Sequence, residues 1–245
     1  MVFSESIESY TKNLGTAFSF ALLLVFVLPI SFLSGAFISS GTGFIEHGFL
    51  KEPVLNTILL LVFVLAFLYF YSLLVCLMVF AVRKDLSSMK MALYLDEKIQ
   101  SIALHYFAFL LLFVLIGSLA VSILVEQGIE PVLINFILML VSLAFLFLPQ
   151  TIVVDEESLG SSVARNFEYI GKHSGDFLVL FALGFFSVLF LQVLEFVIDY
   201  FFLFGNFVSL LIALVFFVPF FEVLKTRFYM KRFSLIETYH YSHSK

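Results

Sequence analysis

Hydrophobic positions along the chain gather into six long blocks separated by short polar stretches. The blocks lie at about 15–39, 54–82, 102–125, 131–154, 177–203 and 206–224. Each is long enough to cross a bilayer as a helix, which needs about 20 apolar residues and satisfies its own backbone hydrogen bonds. Apolar residues occupy both parities of every block, which excludes the period-two alternation of a transmembrane barrel. The faintest boundary separates the last two blocks, where Phe204-Gly205-Asn206 is the only turn signal. Fused, those blocks would be far too long for one crossing. The pattern predicts an all-α membrane protein, a six-transmembrane-helix bundle forming one polytopic domain over residues 1–245.

The polar stretch before each odd-numbered block has a helical period. Phe3, Ile7, Tyr10 and Leu14 share one face, as do Ala92, Leu95, Ile99 and Ile102, and Leu159, Val163, Phe167 and Ile170. Spacings of three and four mark amphipathic helices, which suit the membrane interface. Asp85 and Asp155 are placed to start the second and third, with Glu156 and Glu157 in the first turn of the third.

The blocks also repeat. Residues 52–70 read EPVLNTILLLVFVLAFLYF and residues 130–148 read EPVLINFILMLVSLAFLFL, aligning without a gap. Pro53 and Pro131 fit a first helical turn, where a missing N–H costs nothing. A weaker third copy, NFVSLLIALVFFVPFF (206–221), matches Asn135-Phe136 with Asn206-Phe207 and Pro149 with Pro219. The unit reads as an amphipathic helix plus a transmembrane hairpin, used three times in one orientation about an axis along the membrane normal, unlike an inverted repeat. Ser31, Gly35 and Ser39, and Ser118 and Ser122, recur at spacings of four that let helix backbones approach closely.

Composition agrees with the pattern. The chain is 62% hydrophobic and 13% charged, where soluble domains run near half apolar and a quarter charged. Its mean hydropathy is +1.12. A net charge of −5 spread over loops predicts no nucleic-acid partner. The cations partition across the spans. Lys12, Arg83, Lys84, Lys90, Lys98, Arg165, Lys172, Lys225, Arg227, Lys231, Arg232 and Lys245 fall on one side and only Lys51 on the other. That division requires an even number of spans and puts both termini in the cytoplasm of a cell membrane. The opposite face carries Glu46, Glu52, Glu126, Glu130 and Asp199. The single cysteine, Cys76, excludes an internal disulfide or a cysteine zinc site and reads as a small packed apolar residue. Glu5, Glu8 and Lys12, followed by an overlong apolar run, do not form a cleavable signal.

The segment LFLPQTIVVDEESLGSSVARNFEYIGKHSGDFLVLFAL (146–183) ends a span in Pro, then runs through an acidic stretch and a Ser-rich amphipathic helix into the next span. This resembles a group of six-span proteins that includes the membrane domain of some glycerophosphodiester phosphodiesterases and the YciC-type bacterial membrane proteins. FVPFFEVLKTRFYMK (217–231) is similar to the end of that domain. The resemblance implies the six-span fold. With no soluble barrel in the sequence, it assigns phosphodiesterase activity to no residue.

Candidate chemistry is sparse. Gln192, Glu195 and Asp199 share one face of the fifth span near its outer end. Carboxylates in a membrane are costly and often functional, so this cluster reads either as a cation or proton site, with Glu126 and Glu130 across the bundle, or as headgroup-level solvated groups. Glu222 and Lys225 are spaced to pair near the inner interface. KTRFYMKRF (225–233) offers Lys225, Arg227, Lys231 and Arg232 to anionic lipid headgroups, each contributing about 1 kcal/mol; plain positive-inside anchoring explains it equally. Glu237, His240 and His243 have metal-binding spacing in a polar tail, yet no metal is assigned. His47, His105 and His173 are isolated. No Walker loop, Rossmann glycine motif, HExxH or GxSxG occurs, so no catalytic residue or cofactor is assigned. The expected function is a non-enzymatic module that engages the lipid bilayer or a membrane-protein partner. The alternative is a small-solute or ion transporter, against which the unbroken apolar cores argue.

Overall fold

The computed structural model describes residues 2–34, 37–39, 42–44, 54–86, 92–202 and 204–231. Long apolar runs in lipid must close their hydrogen bonds internally, and the chain does so with helices. The amphipathic N-terminus forms α1 (Val2–Lys12). The first span comprises α2 (Leu14–Ser19), a 3₁₀ turn (Phe20–Leu23) and α3 (Leu24–Ser34). It ends short of residue 39. The Gly- and Ser-rich stretch that follows has poor helix propensity, and the chain instead forms a small antiparallel ribbon, β1 (Phe37–Ser39) with β2 (Thr42–Phe44).

Two long continuous helices come next, α4 (Val54–Leu86) and α5 (Ala92–Glu126). The 35 residues of α5 extend about 52 Å at about 1.5 Å per residue, well beyond an apolar layer of about 30 Å. The second amphipathic stretch is therefore the start of α5, continuous with the third span, rather than a separate helix. Asp85 belongs to the end of α4 instead of starting the next helix.

The fourth span is broken into α6 (Pro131–Ala144) and α7 (Leu148–Asp155). Pro131 opens α6 at its first turn, as expected; the matching Pro53 lies outside the described residues. Asp155 closes α7, because Glu156 turns left-handed at φ 54°, and α8 (Leu159–Lys172) starts only after Ser158. The fifth span is α9 (Ser174–Phe201). The sixth is α10 (Gly205–Ile212), a π-helical turn (Ala213–Phe217) and α11 (Val218–Lys231).

Among the described residues, six stretches are long and apolar enough to cross a membrane: Leu14–Leu33, Val54–Lys84, Lys98–Glu126, Phe136–Asp155, Ser174–Phe201 and Gly205–Lys231. The chain is an all-α, six-helix, multi-pass membrane protein. Ser39 falls in β1, beyond the first span, Gly35 lies outside the described residues, and Ser118 and Ser122 are exposed on α5.

Burial is uneven along the bundle. The buried core draws on the C-terminal half of α4 (Val75, Cys76, Met78, Val79, Val82), the start of α5 (Ile102, Ala103, Tyr106), all but the last residues of α7, and α11. These segments meet at the end of the bundle that gathers Arg83, Lys98 and Arg165. The far halves of α5 and α9 are largely exposed, as is much of α6.

Candidate functional site

The packed end holds an unusual number of polar groups. Gln150, Thr151, Ser162, Asn166, Glu222, Lys225, Thr226 and Arg227 are all buried. Burying a polar group without a partner is costly, and most of these are bonded in a way that explains the bends above.

Pro149 lacks an N–H and crowds the carbonyl four residues before it, that of Phe145. The helix accordingly opens over Phe145–Phe147, and Leu148 N–H donates to the Phe145 carbonyl in a tight three-residue turn (3.1 Å). Asn166 of α8 then splints the break with both ends of its amide. Its Nδ2 donates to the Ala144 carbonyl (2.7 Å), and its Oδ1 accepts from Phe147 N–H (3.0 Å). Lys225 Nζ donates to the Leu146 carbonyl at 3.3 Å. The sixth span repeats the device: Tyr10 of α1 donates to the carbonyl of Val215 (3.0 Å), inside the π-helical turn that precedes Pro219.

Lys225 and Glu222 form the expected pair, Nζ to Oε1 at 2.6 Å, with only 8% and 5% of the side chains exposed. The second carboxylate oxygen accepts from Gln150 Nε2 at 2.9 Å. From the Lys231 end of α11, Lys225 lies about 9 Å and Glu222 about 13 Å in along the helix, at about 1.5 Å per residue. The expected headgroup contact is therefore corrected for two of the four cations. Lys225 turns inward to Glu222. Arg227 turns inward too, donating to Ser9 Oγ and lying 4.0 Å from Glu5 Oε2. Both face the core because α1 and the broken fourth span supply acceptors there. Lys231 is exposed, and Arg232 lies outside the described residues.

Beside this pair is a cavity of about 280 Å³. Its walls are Phe109, Leu110 and Phe113 of α5 and Leu143, Phe145 and Leu146 at the bend; Tyr71, Tyr106, Glu222 and Lys225 supply its polar groups. Tyr71, Tyr106 and Glu222 line the same cavity. Behind the pair, Gln150 Oε1 is buried without a hydrogen-bond partner among the described residues. Exposed Ser142 lies at the rim. The lining residues all belong to the third, fourth and sixth candidate spans and, through Tyr71, the second.

A second polar group ties the loop after α7. Arg83 bonds the Val153 carbonyl (3.0 Å) and Glu156 (2.9 Å), and Arg165 bonds Asp155 (3.2 Å), which also accepts from Tyr229 Oη (2.6 Å). Desolvation works against the Arg165 charge, but Asp155 and Glu157 outweigh it and raise the guanidinium pKa above its ordinary value.

At the far end, Glu195 Oε2 accepts from Ser209 Oγ (3.0 Å), and Asp199 Oδ1 accepts from the Gly205 N–H (2.7 Å). These two carboxylates bind the start of α10. Gly205 is required there, because a Cβ would stand 2.5 Å from the Glu195 carbonyl oxygen. Gln192 is exposed, as are Glu126 and Glu130. His105 bonds the Ser101 carbonyl and His173 stacks on Tyr169. His47, Glu237, His240 and His243 lie outside the described residues.

Sequence reasoning found the Glu222–Lys225 pair but missed Gln150, Asn166, Tyr71 and Tyr106. The available signals were weak. Gln150 is a lone amide directly after Pro149, and Asn166 lies four residues after Ser162, off the apolar stripe. No family model, curated protein or solved structure matches the chain.

Proposed function

We propose that this chain is a non-enzymatic membrane module that holds lipid in the cleft under its bent fourth span. The observation that carries the reading is the Glu222–Lys225 pair at the edge of a cavity walled by Phe109, Leu110, Phe113 and Phe145. Ionisable groups at membrane depth are costly and mark sites of function. Removing both charges from water costs several kcal/mol per ion, and a plain scaffold gains little from keeping them.

The positive-inside bias supports placing the packed end and both termini in the cytoplasm. α1 and α8 bury polar residues (Ser6 and Ser9; Ser162 and Asn166) against the bundle and leave Phe3, Ile7 and Phe167 about half exposed. That arrangement supports interfacial helices whose apolar sides meet lipid. α8 docks on the fourth span and α1 on the sixth, which supports the repeated unit and the likeness to the YciC-type proteins. The exposed apolar faces of α6 and α9 are also suited to a membrane-protein partner.

Lipid retention tests the proposal. Purified protein carried gently from membranes into detergent is expected to keep bound lipid in native mass spectra, and Ser142→Trp, at the exposed rim, is expected to lose it. Equal lipid in both proteins would refute the reading. Transport has less support, since Glu195 and Asp199 are engaged in the α9–α10 turn; a cation flux in proteoliposomes that Glu195→Gln abolishes would reinstate it.

A further inference from the structure

The cavity's polar groups carry no net charge. Glu222 and Lys225 cancel, and the remaining polar side chains of the lining are the Tyr71 and Tyr106 phenols and the Ser142 hydroxyl at the rim. A charged headgroup entering here would leave one charge without a counter-charge in a site of low dielectric, where that is expensive. The groups left over are specific in kind. Two phenols offer an O–H, while the Glu222 carboxylate, which already accepts from Lys225 and Gln150, keeps lone pairs that can accept one more hydrogen bond. A single hydroxyl answers both.

The space is small, about 280 Å³, or room for roughly nine water-sized groups at about 30 Å³ each. That admits a glycerol-sized head and the first carbons of a chain but not a whole lipid. The rest of the chain has an exit. The rim at Ser142 continues into exposed apolar surface on α5 and α6, including Leu112, Leu115, Met139 and Leu140.

Resting on the lipid-holding reading above, we propose that the cleft binds a neutral, hydroxyl-bearing amphiphile of the diacylglycerol kind. Its free hydroxyl sits among Tyr71, Tyr106 and Glu222, and its tails pass out between α5 and α6 into the bilayer. The Glu222–Lys225 pair stays paired and acts as a hydrogen-bonding wall that rejects anionic headgroups.

Photolabelling tests both the site and the headgroup class. Protein in phosphatidylcholine nanodiscs is labelled with a diazirine-bearing diacylglycerol, and the label is mapped by peptide mass spectrometry. Label is expected on the peptides holding 106–113 and 142–149. It should be competed by unlabelled diacylglycerol and not by an equal amount of phosphatidic acid. Tyr106→Phe removes only a hydroxyl and is expected to weaken competition by roughly three- to tenfold, the loss of one hydrogen bond. Ser142→Trp fills the exposed mouth and should abolish label at those peptides.

Two failures are distinguishable. If Ser142→Trp leaves the label unchanged, the contact is ordinary annular lipid, and both this inference and the lipid-holding reading fail. If Ser142→Trp abolishes the label but phosphatidic acid competes as well as diacylglycerol, or Tyr106→Phe has no effect, the cleft holds lipid and only the hydroxyl assignment fails.

Discussion

Residues 52–70 and 130–148 begin with the same EPVL and share LAFL in register, yet they fold differently. From Val54 on, the first copy lies within α4, one helix of 33 residues. The second breaks just inside its LAFL, over Phe145–Phe147. Continued by one residue, the alignment places Tyr71 opposite Pro149. One proline thus converts a straight span into a bent one, and both aligned residues line the cleft. A proline alone leaves carbonyls and N–H groups unsatisfied. The bend persists because Asn166 and Lys225 answer the Ala144 and Leu146 carbonyls and the Phe147 N–H from other helices. No apolar repeat specifies that support; it comes from residues outside the copies.

Substitutions can break this comparison, and thermal or denaturant unfolding of purified protein in one detergent would rank them. Lys225→Met is expected to have the largest effect, about 3–5 kcal/mol, because it leaves Glu222 buried without its partner. If the loss is below about 1 kcal/mol, the pair is not the support described. Tyr71→Pro would impose the second copy's proline on the first. Without an Asn166-like splint the cost should be about 3 kcal/mol or more, and a native-like melting curve would show that α4 tolerates a break unaided. Asn166→Leu leaves a buried N–H and a buried carbonyl unpaired, at about 1–3 kcal/mol each. It should also disturb the wall formed by Phe145 and Leu146, so photolabel at 142–149 ought to fall with stability. Smallest is Tyr10→Phe, which removes one hydrogen bond from the π-helical turn of the sixth span and should cost about 1 kcal/mol. A cost as large as that of Asn166→Leu would mean that the two bends depend equally on α8 and α1.

Helices α1 and α8 extend the same lesson. Their apolar stripes were legible at spacings of three and four. The side that docks on the bundle was not, because α8 buries Ser162, Asn166 and Tyr169 and leaves Phe167 half exposed. In water the apolar stripe would face inward. Beside a membrane both sides of such a helix have a suitable neighbour, lipid for one and freed backbone groups for the other. Periodicity reports that two faces differ and is silent on which neighbour each takes.

The basic segment after the last span shows where a one-dimensional reading stops. Lys225 and Arg227 look like headgroup anchors beside Lys231, since charge count and position are alike. In the fold they point inward because Glu222, Gln150, Ser9 and Glu5 arrive from three different elements.

Hydropathy alone determined six membrane helices, because every apolar run long enough to cross must close its backbone hydrogen bonds within itself. The repeated EPVL and late prolines marked where helices begin and where they are stressed. The tertiary structure decided what the stress became. Whether a proline-weakened turn opens into a cleft depends on side chains from distant segments that can satisfy the freed groups, and such pairings, spanning up to 205 residues between Tyr10 and Val215, leave no periodic trace along the chain.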